Sequence, residues 1–296
     1  MKKVLCIVDC YNWALNNRAV ALKSEYSEHN FEIKHFKDLG GIRFDDYDVV
    51  YSLNWPIHGY ISGKISPRKN RKYRLVTGVS SHIGHPSDRG FSNLLSTYDG
   101  VGMSNKFLYK SFKKKFSNLK IFYTPFGVDC NTFYPKTDPS GLSSVFGWVG
   151  NPDRAVKRFA EIDKCVKSFE GKANLITATN RSNYSRSEMA EFYNRIGTLI
   201  CFSESEGTPN PVLEAAACGR NIISTRVGNV PELFAEAGGI MGTNIVTGSG
   251  SLRSAIAETL AGKEKIKDNG FALSRVISKS WSWRTQALRF RGLLSL

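Results

Sequence analysis

The sequence predicts an α/β protein built from two parallel-sheet domains, and three observations carry that expectation. Short apolar runs rich in β-branched residues alternate with longer segments of helical period, the pattern of βαβ units. A turn-rich stretch near the middle of the chain divides the runs into two sets, as a linker would. The 296 residues, 41% of them hydrophobic, are enough to fill two ordinary cores, which excludes intrinsic disorder.

The first set of runs is Val4–Val8, Val49–Leu53, Leu75–Val79, Gly100–Met103 and Ile121–Thr124. Two lysines precede the first run, and only five apolar residues separate them from Asp9. A signal peptide needs roughly 7–15, so this reads as a strand. No stretch approaches the ~18 uninterrupted apolar residues of a membrane helix. The second set is Val145–Val149, Asn174–Thr179, Leu199–Ser203, Asn221–Thr225 and Gly239–Met241. Between the sets lies TPFGVDCNTFYPKTDPSGLSS, with three prolines and two glycines. It places one domain over 1–135 and a second over 136–280. Ala287, Leu288, Phe290, Leu293 and Leu294 then mark a packed helix over 281–296, with Arg289 and Arg291 on its outer face.

Six cysteines are scattered without a CxxC pair or a histidine at metal spacing, which points to a reducing, cytoplasmic compartment without structural zinc or disulfides.

The most informative segment runs from Leu199 to Leu233. A strand ends at Ser203, and a polar loop holding Glu206, Gly207, Thr208, Pro209 and Asn210 enters a helix with Val212, Leu213 and Glu214. Pro211 suits the first helical position and Gly219 the exit. A helix starting at the carboxyl edge of a strand offers free N–H groups and its positive dipole end to phosphate. Glu214, expected in the first turn, and Glu206, eight residues earlier, can accept hydrogen bonds from sugar hydroxyls. A carboxylate near a diphosphate is repelled unless it has such donors.

The stretch Glu206-Gly-Thr-Pro-Asn-Pro-Val-Leu-Glu214-Ala-Ala-Ala-Cys-Gly219, with Val227-Gly228 and Pro231-Glu232-Leu233 beyond it, resembles the E-x7-E signature of family 4 glycosyltransferases. SVFGWVGNPDRAVKRF, EMAEFYNRIGTLICFSESEG, YTPFGVDCNTFYP and WSWRTQALRFRGLL are similar to further parts of that family. The resemblance implies retaining enzymes of the GT-B fold, two Rossmann-like domains facing across a cleft, with 1–135 binding the acceptor, 136–280 binding the nucleotide sugar, and the terminal helix a candidate to return to the first domain. It implies that Gly150 lets the chain approach the donor phosphates and Lys157 neutralises them. Asn151 stands where the family often has a basic residue, so Arg154 or Arg158 is left to supply the second charge. Glu214 is implied to bind the ribose, and Glu206 the transferred sugar, with backbone groups of Gly207 to Pro211. In the first half, His82, with His85 in reserve, falls near the family's sugar-contacting histidine. Trp13 begins an amphipathic helix and serves either the core or an acceptor.

Asp46-Tyr47-Asp48 spells a metal-binding Asp-x-Asp pair. It precedes a strand rather than following one, so no metal and no cofactor is expected, the nucleotide sugar being a co-substrate.

The formal net charge is +15, and residues 1–135 hold 20 Lys and Arg against 11 Asp and Glu. The excess clusters in KISPRKNRKYR and in KFLYKSFKKKF, where Lys106, Lys110, Lys113, Lys114 and Lys115 interleave with aromatic residues. The second cluster reads either as a helix lying on an anionic membrane surface or as an ordinary helix with its apolar stripe on the sheet. DNA is the rival anion, though no homeodomain, zinc-finger or RNA-recognition signature is present.

The expected function is transfer of a sugar from a nucleoside-diphosphate sugar to an acceptor hydroxyl, on a glycolipid or polysaccharide precursor, in the cytoplasm or on the inner membrane face. A DNA-base glycosyltransferase is the alternative enzyme. A catalytically silent sugar-nucleotide or glycan-binding module is the alternative of another class.

Overall fold

The structure, a computed structural model, describes residues 1–11, 13–81, 88–238 and 244–296. The chain divides into two compact units, one of Met1–Gly127 with Trp283–Leu296 and one of Val128–Ser282.

In the first unit, β1 (Lys3–Val8), α1 (Ala14–Glu25), β2 (Asn30–His35), β3 (Val49–Ser52), α2 (His58–Ile61), β4 (Arg74–Val79), α3 (Asp88–Ser96), β5 (Gly100–Met103), α4 (Lys106–Lys115) and β6 (Ile121–Tyr123) follow one another. The strands form one sheet in the order β2-β1-β3-β4-β5-β6, and every pairing is parallel. Val4 to Val8 are fully buried, which is why the run reads as uninterrupted. The strand β2 is absent from the runs seen in the sequence. It is an edge strand in which Phe31 alone is buried, and Glu32 and Lys34 break its apolar pattern.

Tertiary packing also decides α4. Leu108, Phe112 and Phe116 turn into the core, and the side chain of Asn105 caps the helix by accepting from the Leu108 N–H at 2.8 Å. Of the expected aromatic face beside a basic face, Phe107, 63% exposed, remains outside, with Lys106, Lys110, Lys113, Lys114 and Lys115. The other basic run is partly spent on structure. Arg68 and Arg71 both pair with Asp99, at 3.1 and 2.9 Å. Before β3, Asp46 pairs with Arg43 at 2.7 Å, and Asp48 accepts from the Lys3 N–H at 2.7 Å.

The second unit contains β7 (Val145–Gly150), α5 (Phe159–Lys167), β8 (Asn174–Thr179), α6 (Arg186–Asn194), β9 (Thr198–Cys201), α7 (Asn210–Ala217), β10 (Asn221–Ser224), α8 (Val230–Glu236), α9 (Ser249–Ala261) and α10 (Lys263–Val276). Its sheet has the order β10-β9-β7-β8 and is parallel throughout. A parallel bridge from Ser224 to Ile245 continues it. The run 239–241 lies outside the described residues. A Ser185–Glu188 capping box starts α6, and Gly219, at φ 72°, ends α7 where a side chain would be strained.

The last segment returns to the first unit as α11 (Trp283–Ala287), a 3₁₀ turn (Leu288–Phe290) and α12 (Arg291–Leu294). Arg74 Nε donates to the Leu293 carbonyl at 2.8 Å. The Leu293 side chain seats against β5 because Gly100 and Gly102 have none; a Cβ on Gly102 would stand 2.4 Å from Thr124 Oγ1 and 3.0 Å from Leu293. Arg289 and Arg291 are exposed. The described cysteines are all free, and burial pushes the thiols of Cys6 and Cys218 up to about 12, which keeps them inert.

Candidate active site

The site is built by neighbouring strands. In the second unit β7 and β9 pair directly, Phe146 with Thr198 and Gly147 with Leu199, so the loops leaving their carboxyl ends lie side by side. The backbone ties them together, since the Glu204 N–H donates to the Val156 carbonyl at 2.9 Å.

The first loop leaves β7 at Gly150. A Cβ there would come within 3.1 Å of the Trp148 ring, so this exit needs a small residue. Asn151 folds back, its Oδ1 accepting from the Asp153 N–H at 3.0 Å. Arg154 is exposed and opens a 3₁₀ turn over Ala155–Lys157. Arg158 is left-handed at φ 51° and locked to Glu161 by bonds of 2.6 and 2.9 Å, with its guanidinium 4.2 Å from the centre of the Phe202 ring. It is therefore engaged within the unit, and of the two candidates for a second phosphate charge Arg154 is the one without an ion pair among the described residues.

The second loop carries Glu206. Lys157 Nζ stands 2.5 Å from Glu206 Oε1, and both side chains are about 15% exposed, 16% and 14%. They line one recess with Val149, Cys201, Ser203, Pro209 and Pro211. A cation and an anion are thus held together in a partly dry pocket, where reduced screening strengthens their mutual attraction.

The helix start differs from the expectation in two ways. First, α7 begins at Asn210 with Pro211 second, so Glu214 lies beyond the first turn. Second, the first-turn N–H groups are already used. Asn210 donates to the Thr208 carbonyl at 3.0 Å, and Val212 and Leu213 donate to the Pro209 carbonyl at 2.8 and 3.4 Å; proline has no N–H. The loop's own carbonyls fill the seat predicted for an anion. The side chains of Val212 and Leu213, expected beside the donor, are in the core at 0% and 1% exposure, because that face of the helix packs on the sheet.

Glu214 is half-buried, and Tyr193, wholly buried on α6, donates a 2.8 Å hydrogen bond to its Oε2. Burial pushes the Glu214 carboxyl up to about 7, against the pull of that bond and of the Arg186 charge. Tyr193 and Arg186 escape sequence reading: Tyr193 lies 21 residues from its partner, inside an unremarkable amphipathic helix. Gly228, at φ 54°, fixes the Glu206 loop from the far side; a Cβ there would stand 2.7 Å from the Gly207 carbonyl oxygen and 2.9 Å from Pro209.

In the first unit, Trp13 precedes α1 and is 60% exposed, so it is not a core residue. His82 and His85 lie outside the described residues. Lys157, Glu206 and the loop to Glu214 are brought together within the second unit; Trp13 and the α4 lysines belong to the first.

Two units, each with a parallel sheet, give the chain the GT-B fold found in glycosyltransferases. Residues 144–261 match the family model described as "Glycosyl transferases group 1". That stretch runs from β7 through α9 and contains Lys157, Glu206 and Glu214, so it is the second unit's segment that is similar to group 1 glycosyltransferases.

Solved structures of the same fold include sucrose-phosphate synthase from Thermosynechococcus elongatus, with 13% identity, 100% of this chain and 98% of that one covered, and a TM-score of 0.73. HepE from Anabaena, in complex with UDP and glucose, has 13% identity, both chains covered at 100%, and a TM-score of 0.72. The catalytic domain of starch synthase IV from Arabidopsis thaliana, bound to ADP and acarbose, has 10% identity, 99% and 98% coverage, and a TM-score of 0.68. No curated protein sequence matches the chain. No described helix is long and apolar enough to cross a membrane.

Proposed function

We propose that the chain is a retaining, family 4 glycosyltransferase that moves a sugar from a nucleoside-diphosphate donor to a hydroxyl on a glycolipid or polysaccharide precursor. The Lys157–Glu206 pair, 2.5 Å apart within the group 1 domain, is the observation that carries this reading. A diphosphate competes with Glu206 for the Lys157 ammonium, and the sugar beyond it offers hydroxyl donors to the carboxylate so released. The one pair thereby accepts both ends of the donor. HepE with UDP-glucose and starch synthase IV with ADP show that nucleoside diphosphates are held by proteins of this fold.

Departure of the nucleoside diphosphate puts negative charge next to Lys157, with Arg154 on the same turn. Preorganised cations in a sheltered recess stabilise such charge without reorganisation, and we assign them the role a divalent metal would otherwise take. Glu206 orients the sugar so that the acceptor hydroxyl enters from the face the diphosphate leaves, with His82 assisting. Glu214 receives the ribose. The exposed lysines of α4 hold the enzyme at an anionic cytoplasmic membrane surface, where a glycolipid acceptor resides.

Lys157→Ala and Glu206→Ala, assayed separately for nucleoside diphosphate release across a panel of UDP- and ADP-sugars, are expected to lose about 100-fold or more in turnover. Undiminished release in both variants would sink the assignment. Treatment with a chelator is expected to leave turnover unchanged.

A further inference from the structure

Glu214 has one oxygen held and one open. Its Oε2 accepts from the Tyr193 hydroxyl at 2.8 Å, and its Oε1 has no hydrogen-bond partner among the described residues. No cation pairs with it among them either: Arg186, whose charge reaches it, is paired with Asp129 at 3.5 Å.

The phenol that holds Oε2 is itself fixed. Tyr193 is wholly buried, and among the described residues Glu214 is the one partner of its hydroxyl. Its ring is wedged edge-on between Phe133 and Phe192, with centroids 6.0 and 5.6 Å away and interplanar angles of 63° and 75°. Both phenylalanines are buried. The end of a glutamate side chain otherwise turns broadly about its last torsion. A rigid donor on one oxygen removes that freedom before a ligand arrives, so the ligand does not have to order the group. The bond also favours the ionised form against burial, and the ionised form accepts from hydroxyls through either oxygen.

We propose that Tyr193 is a positioning residue that, by pinning Oε2, aims Oε1 of Glu214 at a ribose hydroxyl and so selects ribonucleotide over deoxyribonucleotide donors. The inference rests on the reading that Glu214 receives the ribose of a nucleotide sugar. Pro211 lines the recess of Lys157 and Glu206, and Glu214 stands three residues further along α7. Residues at that spacing share a helix face and are separated by about 4.5 Å of rise, so a diphosphate at Lys157 brings its ribose toward Glu214. A deoxyribose would displace water from Oε1 and return no hydrogen bond, and a site built around a hydroxyl rejects the analogue that lacks it. A carboxylate free to turn would swing back to water and discriminate less.

The full chain, Tyr193→Phe, Glu214→Gln and the double variant are titrated by calorimetry with UDP, ADP and GDP and their 2′-deoxy and 3′-deoxy forms, at about pH 8.5, above the range in which Glu214 titrates. The nucleotide that binds is expected to lose about tenfold or more in affinity without one of those hydroxyls. Tyr193→Phe is expected to weaken the ribonucleotide about fivefold, to leave that deoxy form unchanged, and to do nothing further in the Glu214→Gln background. Equal weakening of both forms, as lost packing alone would give, or no weakening, overturns positioning by Tyr193 and leaves the ribose reading standing. A nucleotide bound without regard to either hydroxyl overturns the Glu214 assignment, and absence of nucleotide binding overturns the glycosyltransferase reading; the inference falls with either. If Tyr193→Phe does not fold, the phenol carbon resonance of Tyr193 in the unsubstituted chain, identified by its displacement in Glu214→Gln, decides. It is expected to shift with the ribonucleotide and not with the deoxy form, and an equal response to both overturns the proposal.

Discussion

The hydroxyl of Tyr193 donates a 2.8 Å hydrogen bond to Oε2 of Glu214, joining α6 to α7. The bond favours the ionised carboxylate, yet burial outweighs it and lifts the carboxyl from 4.5 to about 7. Between those values the folded chain binds a proton that the unfolded chain has lost. Stability contributed by this group is therefore fully present below about 4.5 and declines as pH rises through about 7.

Glu214→Gln should remove that slope. Urea unfolding at pH 5 and pH 8 is expected to show the unsubstituted chain losing stability relative to the variant, by at most about 3 kcal/mol. Equal slopes in the two proteins would contradict the assignment. Tyr193→Phe, which deletes the bond, is expected to move the titration midpoint upward.

Lys157 and Glu206 should behave as a coupled pair. Each is mostly sheltered, so removing one leaves the other charge uncompensated, at a cost of about 2 kcal/mol. Lys157→Met with Glu206→Gln is expected to cost less than the two single changes together, a coupling of about 1 kcal/mol or more. Additive denaturation midpoints would show that the two side chains do not interact in solution.

Two buried arginines give opposite expectations. Arg220 donates to the Thr137 carbonyl at 2.5 Å, the Ile196 carbonyl at 3.1 Å, the Cys218 carbonyl at 2.8 Å and Thr137 Oγ1 at 3.2 Å. Arg220→Met strands these acceptors and should cost about 3 kcal/mol. Arg18 is equally buried, but its hydrogen bond to Thr124 is a long 3.5 Å. It has no carboxylate partner among the described residues, and the rings of Tyr51, Phe126 and Phe290 surround it at 4.7 to 5.5 Å. Arg18→Met should leave the melting temperature unchanged or raise it. A melting scan of both variants decides, and a larger loss from Arg18→Met would refute this account.

Gly228→Ala is a test of loop position. The substitution meets the Gly207 carbonyl and demands a left-handed residue, a combination expected to cost about 1–3 kcal/mol. Because it pushes on the loop rather than on Lys157, donor affinity should fall more than turnover. Nucleotide-sugar titration by calorimetry would show this, and unchanged affinity would rule the clash out.

Much of this was legible in the sequence because parallel strands buried on both faces are written as continuous apolar runs. Val4–Val8 and Asn221–Ser224 announce themselves for that reason, while β2, with a single buried residue, does not. The loop from Glu206 to Gly219 was legible because its proline and glycine positions follow from local backbone geometry, although the helix opens one residue earlier than Pro211 suggests.

Local sequence, then, determined the two parallel sheets, the edge on which the loops emerge and the residue types the second unit presents to a ligand, since each depends on neighbours a few positions away. Only the tertiary structure decided which groups are occupied. The first-turn N–H groups of α7 are taken by the Thr208 and Pro209 carbonyls, Arg158 is claimed by Glu161, the aromatic stripe of α4 by the core, and Glu214 by Tyr193. A hydrogen bond, an ion pair or a buried face needs a partner at a few ångströms, and what folding brings that close is not written in the spacing of either residue.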